Sequence, residues 1–311
     1  MYAVATRPPL LTSSLQHLIA RAMLGGGFTD RPGGLYRPDA TAWAILALKC
    51  SDAGGDLLDP ARSRLAKDQG EDGRIGISVD HPEAFWPTPL AILAWLGSPH
   101  HREAQAQAVE FLLRTTGRHW QKSSNDPLGH NTLLKGWPWI SDTHSWIEPT
   151  ALAILALTAV GHSGHARVME AIRMLLDRQL PHGGWNTGNT TVFGRELYPA
   201  PETTGAALHA LAGRVPREQA QGSLDYLIGK LGSLRTPIAL GWSLLGLGSW
   251  GALPTSAPTL VAESLEQQKR YGAYDTASLC LLILSLLTPG GLAKLGKDDS
   301  IPVHDAAVRE R

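Results

Sequence analysis

The phrase Trp146-Ile-Glu-Pro-Thr-Ala-Leu-Ala-Ile-Leu-Ala-Leu157 decides the fold, because it recurs. It reads as a turn, an acid or proline, a threonine, and then a run rich in Ala and Leu. Related phrases stand at Pro38–Leu48, Trp86–Trp95, Pro201–Leu211, Thr236–Leu247 and Tyr274–Leu286, giving six copies. Each run is apolar nearly all round, so each predicts a helix buried on every side. Proline, acids and threonine at the starts match the chemistry of helix N-termini.

Six amphipathic segments alternate with these runs: Leu11–Leu24, Leu57–Lys67, Arg102–Arg114, Ala166–Arg178, Arg217–Leu231 and Leu260–Lys269. In the fourth, Val168, Ile172, Leu175 and Leu176 share one face, while Arg167, Glu170, Arg173 and Asp177 lie elsewhere. That is one-sided burial. The chain therefore reads outer helix, inner helix, six times over. The expected architecture is all-α, an α/α toroid of six helical hairpins, with residues 1–290 as one domain and 291–311 as a polar C-terminal tail. Repeats that bury one face each must stack, and closing the ring removes exposed ends. An open α-solenoid is the alternative arrangement.

Composition bounds the function. Among 311 residues, 28 Lys+Arg balance 28 Asp+Glu, and 43% are apolar, which supports a large core and gives no basic footprint for nucleic acid. Two cysteines, Cys50 and Cys280, form neither a disulfide framework nor a CxxC metal site, which points to a reducing compartment. The N-terminus shows no continuous apolar h-region, and no apolar run approaches the ~20 residues of a membrane span. A cytoplasmic location is expected, with peripheral membrane contact left open.

The long Gly- and Trp-rich links, Gly25–Arg37, Gln69–Ala84, Thr115–Ser145 and Gln179–Ala200, all run from an outer to an inner helix. In an up-down ring they gather at one end, with the N-termini of the inner helices, and mark the working face.

Three stretches there carry a family resemblance. Gln179-Leu-Pro-His-Gly183-Gly-Trp185 fits QxxxGxW, and Gln69…Gly73…Ile75 and Gln268…Gly272…Tyr274 fit it with a changed last residue. Placed before an Ala/Leu-rich helix, the phrase resembles the QW repeat of squalene and oxidosqualene cyclases, which share the α/α toroid with protein prenyltransferase β subunits. The resemblance implies a terpene-cyclase-like enzyme that uses acid to cyclise or isomerise a polyprenyl or terpenoid substrate in a central cavity. It also admits a non-catalytic isoprenoid-binding toroid, or a prenyltransferase-like subunit needing a helical partner. The cyclases are built from two such domains, so a second toroid is a further candidate partner. At the phrase matching the acid motif of the cyclases, Tyr274-Asp275-Thr276 keeps only the last Asp. The prenyltransferases carry Tyr-His-Thr there, with a zinc-binding His. Neither their zinc ligand set nor a DDxxD motif is present, so no metal ligands are assigned, although Mg or Zn is compatible with the family.

Candidate site residues follow. Asp39, Glu148, Glu202 and Asp275 share one register at inner-helix starts and could converge at the mouth of a ring; acids also simply favour helix N-termini. Asp142, His144, Trp146 and Glu148 alternate, so an extended approach to the third inner helix would place them on one face as a proton-handling strip. Asp275, Glu148, His144 and Asp142 are the expected catalytic groups. Trp86, Trp146, Tyr274 and Tyr198 are the expected aromatic wall, with Glu202 and Asp39, since aromatic faces stabilise cations by about 0.5–2 kcal/mol. Trp185 reads as packing between repeats. Paired carboxylates on a toroid also admit a carbohydrate enzyme.

Overall fold

The computed structural model describes residues 9–292, except 79 and 124, together with residue 295. Most of the expected tail, residues 293–294 and 296–311, lies outside the described residues. The inner helices are α2 (Pro38–Cys50), α4 (Pro87–Ala94), α6 (Ile147–Ala159), α8 (Pro201–Leu211), α10 (Pro237–Ser249) and α13 (Thr276–Leu287). The outer helices are α1 (Pro9–Ile19), α3 (Leu58–Lys67), α5 (Arg102–Arg114), α7 (Ala166–Asp177), α9 (Arg217–Lys230) and α11 (Ala257–Glu266), the last followed by the one-turn α12 (Gln268–Tyr271). Two-residue strands β1 (Thr191–Val192) and β2 (Arg195–Glu196) pair antiparallel in the loop before α8.

Each inner helix packs on the next, and α13 packs back on α2. The ring is closed, so the protein is an α/α toroid rather than an open solenoid. The all-round apolar runs are buried as expected: in α6 every residue from Pro149 to Leu157 is buried. The first outer helix ends at Ile19, before the predicted Leu24, because the chain turns there into a short bridge between Ala22 and Phe28. Helix α11 starts earlier than predicted, at Ala257, and breaks at Gln267.

The recurring threonine has a physical role. Thr41, Thr88 and Thr150 each accept, through Oγ1, the backbone N–H of the residue thirteen positions earlier: Phe28, Ile75 and Trp137, at 2.9–3.0 Å. Thr204 does the same for Trp185 at 3.0 Å. One hydroxyl thus satisfies a buried loop N–H and locks the preceding loop to the start of an inner helix. Thr276 performs a variant that joins the chain ends. Its hydroxyl donates to the Thr29 carbonyl at 2.6 Å and accepts from Arg21 Nη1 at 2.9 Å, while its backbone N–H donates to the Asp30 carbonyl at 2.7 Å.

The glutamines and glycines of the first two QxxxGxW-like stretches, at Gln69 and Gln179, tie loops to outer helices. Gln69 Nε2 donates to the carbonyls of Gly73 and Ala104, and Gln179 Nε2 donates to the Gln219 carbonyl and Ser223 Oγ, all at 2.9 Å. Gly73 has φ +91°, and a Cβ there would collide with the Gln107 carbonyl of α5. Loop and outer helix therefore touch backbone to backbone. Trp185 and Trp137 bury their rings and donate their indole N–H to helix-end carbonyls, those of Leu175 at 2.7 Å and Leu112 at 3.0 Å. Such carbonyls lack intrahelical partners.

Gly73→Ala is expected to lower unfolding free energy by about 2 kcal/mol or more, through strain and lost contact. Gly229→Ala, in an exposed part of α9 with open space around it, is expected to raise stability by up to about 1 kcal/mol. Urea denaturation of the two variants checks both signs.

Candidate active site

The threonine locks and proline starts bring the first turns of the inner helices to one end of the ring. Four of the expected carboxylates stand there, in very different surroundings. Asp39 is buried and held by Arg37, with bonds of 2.8 and 2.9 Å from Nε and Nη2. Asp275 is exposed, and both its oxygens are engaged in capping α13, accepting Ser278 N–H and Ser278 O–H at 2.8 Å. Its geometry is that of a helix cap, with both oxygens taken up by Ser278.

Glu148 and Glu202 form the remaining pair. Glu148 lies in the first turn of α6 and Glu202 in the first turn of α8. Protein surrounds Glu148 closely while part of the residue stays accessible. Burial raises its carboxyl from 4.5 to about 7, the like charge of Glu202 pushes in the same direction, and the Trp242 indole N–H opposes them. Trp242 is fully buried in α10, and its N–H has no other partner. Gly205 sets that position: a Cβ there would collide with the Trp242 carbonyl, so only glycine lets α8 and α10 approach this closely.

Aromatic rings meet in pairs along and beside the inner helices. Trp43 meets Trp242 edge-on, with centroids 5.8 Å apart, and Trp86 meets Trp139 edge-on at 5.8 Å. Trp146, half-buried, immediately precedes α6 and stacks edge-on against His144 at 5.4 Å.

The strip from Asp142 to Glu148 is only partly assembled. Asp142 is exposed, with φ +60°, and neither ring nitrogen of His144 makes a hydrogen bond. The expected carboxylate–imidazole pair is therefore not formed. The His144 ring instead packs against Trp120, His130 and Trp146. Burial lowers its pKa to about 4, with Arg178 adding to the effect, so the imidazole is neutral at pH 7.

Two expected aromatics lie elsewhere. The Tyr274 hydroxyl donates to the Ser264 carbonyl of α11 at 2.6 Å, which ties helices together. Tyr198 is 88% exposed and lines a separate cavity of about 380 Å³ with His182, Glu196 and Tyr226. Among the described residues no three His, Cys, Asp or Glu side chains lie together as a metal ligand set. No described helix is long and apolar enough to cross a membrane.

Sequence reasoning missed Trp242 as a neighbour of Glu148. A tryptophan in the middle of an Ala/Leu/Gly-rich inner run, as in Leu240-Gly-Trp242-Ser-Leu244, was the available signal: nothing smaller reaches across a ring interior.

No protein-family profile matches the sequence, and no curated protein matches it. Solved structures do match over nearly the full chain. A protein from Actinoplanes superposes with a TM-score of 0.58 at 14% identity, covering 90% of this chain and 99% of its own. An α-amylase from Clostridium perfringens gives 0.57 at 9% identity, covering 88% and 97%. MstE, a type II terpene cyclase from Scytonema solved with geranylgeranyl dihydroxybenzoate, gives 0.57 at 13% identity, covering 92% and 98%. These likenesses define the class as an α/α toroid, a scaffold that carries both terpene-cyclase and glycosidase chemistry among its members. The chain is terpene-cyclase-like in fold.

The raised pKa of Glu148 makes a stability prediction. The folded protein keeps this proton up to about pH 7, whereas the unfolded chain releases it near 4.5. Stability therefore falls as pH rises between those values. Glu148→Gln is expected to match the wild type near and below about pH 4 and to exceed it above pH 7, by at most on the order of 3 kcal/mol. Denaturation of both proteins across this pH range checks it.

Proposed function

We propose that the protein is an acid-initiating enzyme of the terpene-cyclase type, which cyclises or isomerises a polyprenyl or terpenoid chain at the mouth of the ring, with Glu148 as the proton donor. What carries the reading is the placement of Glu148 and Glu202 at the starts of adjacent inner helices, where burial raises the Glu148 carboxyl to about 7 beside the fully buried Trp242. The proton passes from Glu148 to one carbon of an alkene, whose π electrons form the new C–H bond. The adjacent carbon becomes a cation. A second alkene of the chain attacks it, and loss of a proton to a basic group closes the balance with no change in composition.

Trp242 has a matching task. Its indole favours the charged form of Glu148, so it stabilises the carboxylate left after proton transfer. Trp43, Trp86, Trp139 and Trp146 supply π faces toward a passing cation. Glu202 keeps the Glu148 proton in place through like charge. The carboxyl groups of Asp275 and Asp142 take no part in this scheme.

A second reading rests on the Glu148–Glu202 pair itself. Two carboxyl groups, one of them protonated, are the minimum for glycoside hydrolysis, and tryptophan faces suit sugar rings. The amylase likeness is in keeping with it.

One panel separates the readings. Geranylgeranyl dihydroxybenzoate, a free polyprenyl alcohol and its diphosphate are incubated with the protein beside α- and β-1,4-glucans, and products are read by mass spectrometry. A cyclised or isomerised product of unchanged mass is expected. Glu148→Gln is expected to reduce it by at least about 100-fold, within the usual range for a lost acid catalyst, while Asp275→Asn stays within a few-fold of wild type. Cleaved glucan would establish the second reading. Tight isoprenoid binding without product would make the toroid a carrier.

A further inference from the structure

Beside the mouth, the loop from α5 to α6 encloses a group of polar side chains that satisfy nothing. His130 is 2% exposed, and neither of its ring nitrogens has a hydrogen-bond partner. The His144 ring lies 5.2 Å away, centroid to centroid, and its two nitrogens are equally unpartnered. Arg178, at the C-terminal end of α7, is 1% exposed. Its Nη1 donates to the Ser145 carbonyl, but its Nε has no acceptor. A buried polar atom left without a partner costs about 1–3 kcal/mol. Five such atoms in one place mark a site that a ligand completes.

The sign of the ligand follows from the charges. Burial lowers the His130 pKa to about 3 and that of His144 to about 4, with Arg178 contributing to both. Arg178 itself is lowered by burial to about 9 and is still a cation at neutral pH. The acids nearby are engaged elsewhere. Asp126 accepts from the Trp120 indole at 2.8 Å and the Leu128 N–H at 3.0 Å, Asp177 accepts from the Asn131 N–H at 2.8 Å, and Asp142 is exposed. A buried guanidinium with a free N–H, flanked by two imidazoles, favours an oxyanion over a cation. Of the three side chains, His144 lines a cavity of about 410 Å³ together with Arg118, Trp120, Asp142 and Thr143, and His130 and Arg178 lie buried behind it. His144 stands four positions before Glu148, a reach of at most about 14 Å.

We propose that His130, His144 and Arg178 form an oxyanion pocket that takes a phosphate- or carboxylate-bearing head group, with the rest of the ligand laid past Trp146 toward Glu148. This deepens the proposed function, and it rests on that reading for the nature of the tail alone.

The test is binding, read by isothermal titration calorimetry with inorganic pyrophosphate and with benzoate. Both are applied to the full chain and to its His130→Phe, His144→Phe and Glu148→Gln variants. Saturable one-site binding is expected for the wild type. The anion bound more tightly distinguishes a phosphorylated from a carboxylated head group. Each Phe variant is expected to weaken it by at least about tenfold, the worth of one charge-assisted hydrogen bond. Glu148→Gln should bind as the wild type does, so failed turnover with intact anion binding would remove the acid chemistry and leave the pocket standing. If the histidines only fill the core, His130→Phe removes two unpartnered nitrogens, raises the melting temperature and leaves binding unaltered; that result overturns the proposal. So does a wild type that binds neither anion, or that binds zinc through His130 in their place.

Discussion

Closure of the ring rests on Thr276. Its hydroxyl and N–H hold the carbonyls of Thr29 and Asp30, while Arg21 reaches in from the other end of the chain to bond the same hydroxyl and the Tyr274 carbonyl. Without this set of bonds the last inner helix would have no fixed place beside the first. An open stack would leave apolar faces of α2 and α13 in water. Every other feature depends on closure, because only a closed ring turns six helix starts toward a common mouth. The same hydroxyl chemistry at Thr41, Thr88, Thr150 and Thr204 sets the tilt of each loop on its inner helix.

The mouth shows how one scaffold gives similar residues different roles. Asp39, Glu148 and Glu202 each stand second in their helices and Asp275 caps α13, and acids at such starts are favoured by the helix dipole alone. Partners then divide them. Arg37 keeps Asp39 paired, and Ser278 keeps Asp275 in a cap. Glu148 has no cation or capping group, only burial, a like-charged neighbour and one indole N–H. A raised pKa follows from what is missing around it as much as from what is present. The cost in stability at neutral pH is the kind of local strain that a working site carries.

Loop length decides what lies beside the mouth. The link before α6 is the longest, and it folds back through bridges that pair Arg118 with His144 and Trp137 with Trp146. That folding buries His130 and His144 against Arg178 of α7. The short links elsewhere cannot enclose polar groups in this way. Glu148 and the imidazole pocket are thus adjacent features of the same repeat, one set by a helix start and the other by a loop.

The sequence by itself determined the helices and their alternation, and it left a closed ring beside an open solenoid until the packing of α13 on α2 decided between them. Repeated all-round apolar runs between amphipathic segments have few other ways to bury their surface. It also placed Glu148 and Trp146 at the working end, because Pro, acid and Thr mark helix starts by local chemistry. The tertiary structure alone decided which acid is desolvated. Asp275 and Glu148 read alike in the chain, and they differ only in that Ser278 reaches one while Trp242 and Glu202 face the other. Likewise the Asp142–His144 spacing implied a pair, but a left-handed turn at Asp142 sends that carboxylate to solvent and the imidazole inward. Helix periodicity is a property of neighbours in sequence, whereas burial and pairing are set by residues that arrive from distant repeats.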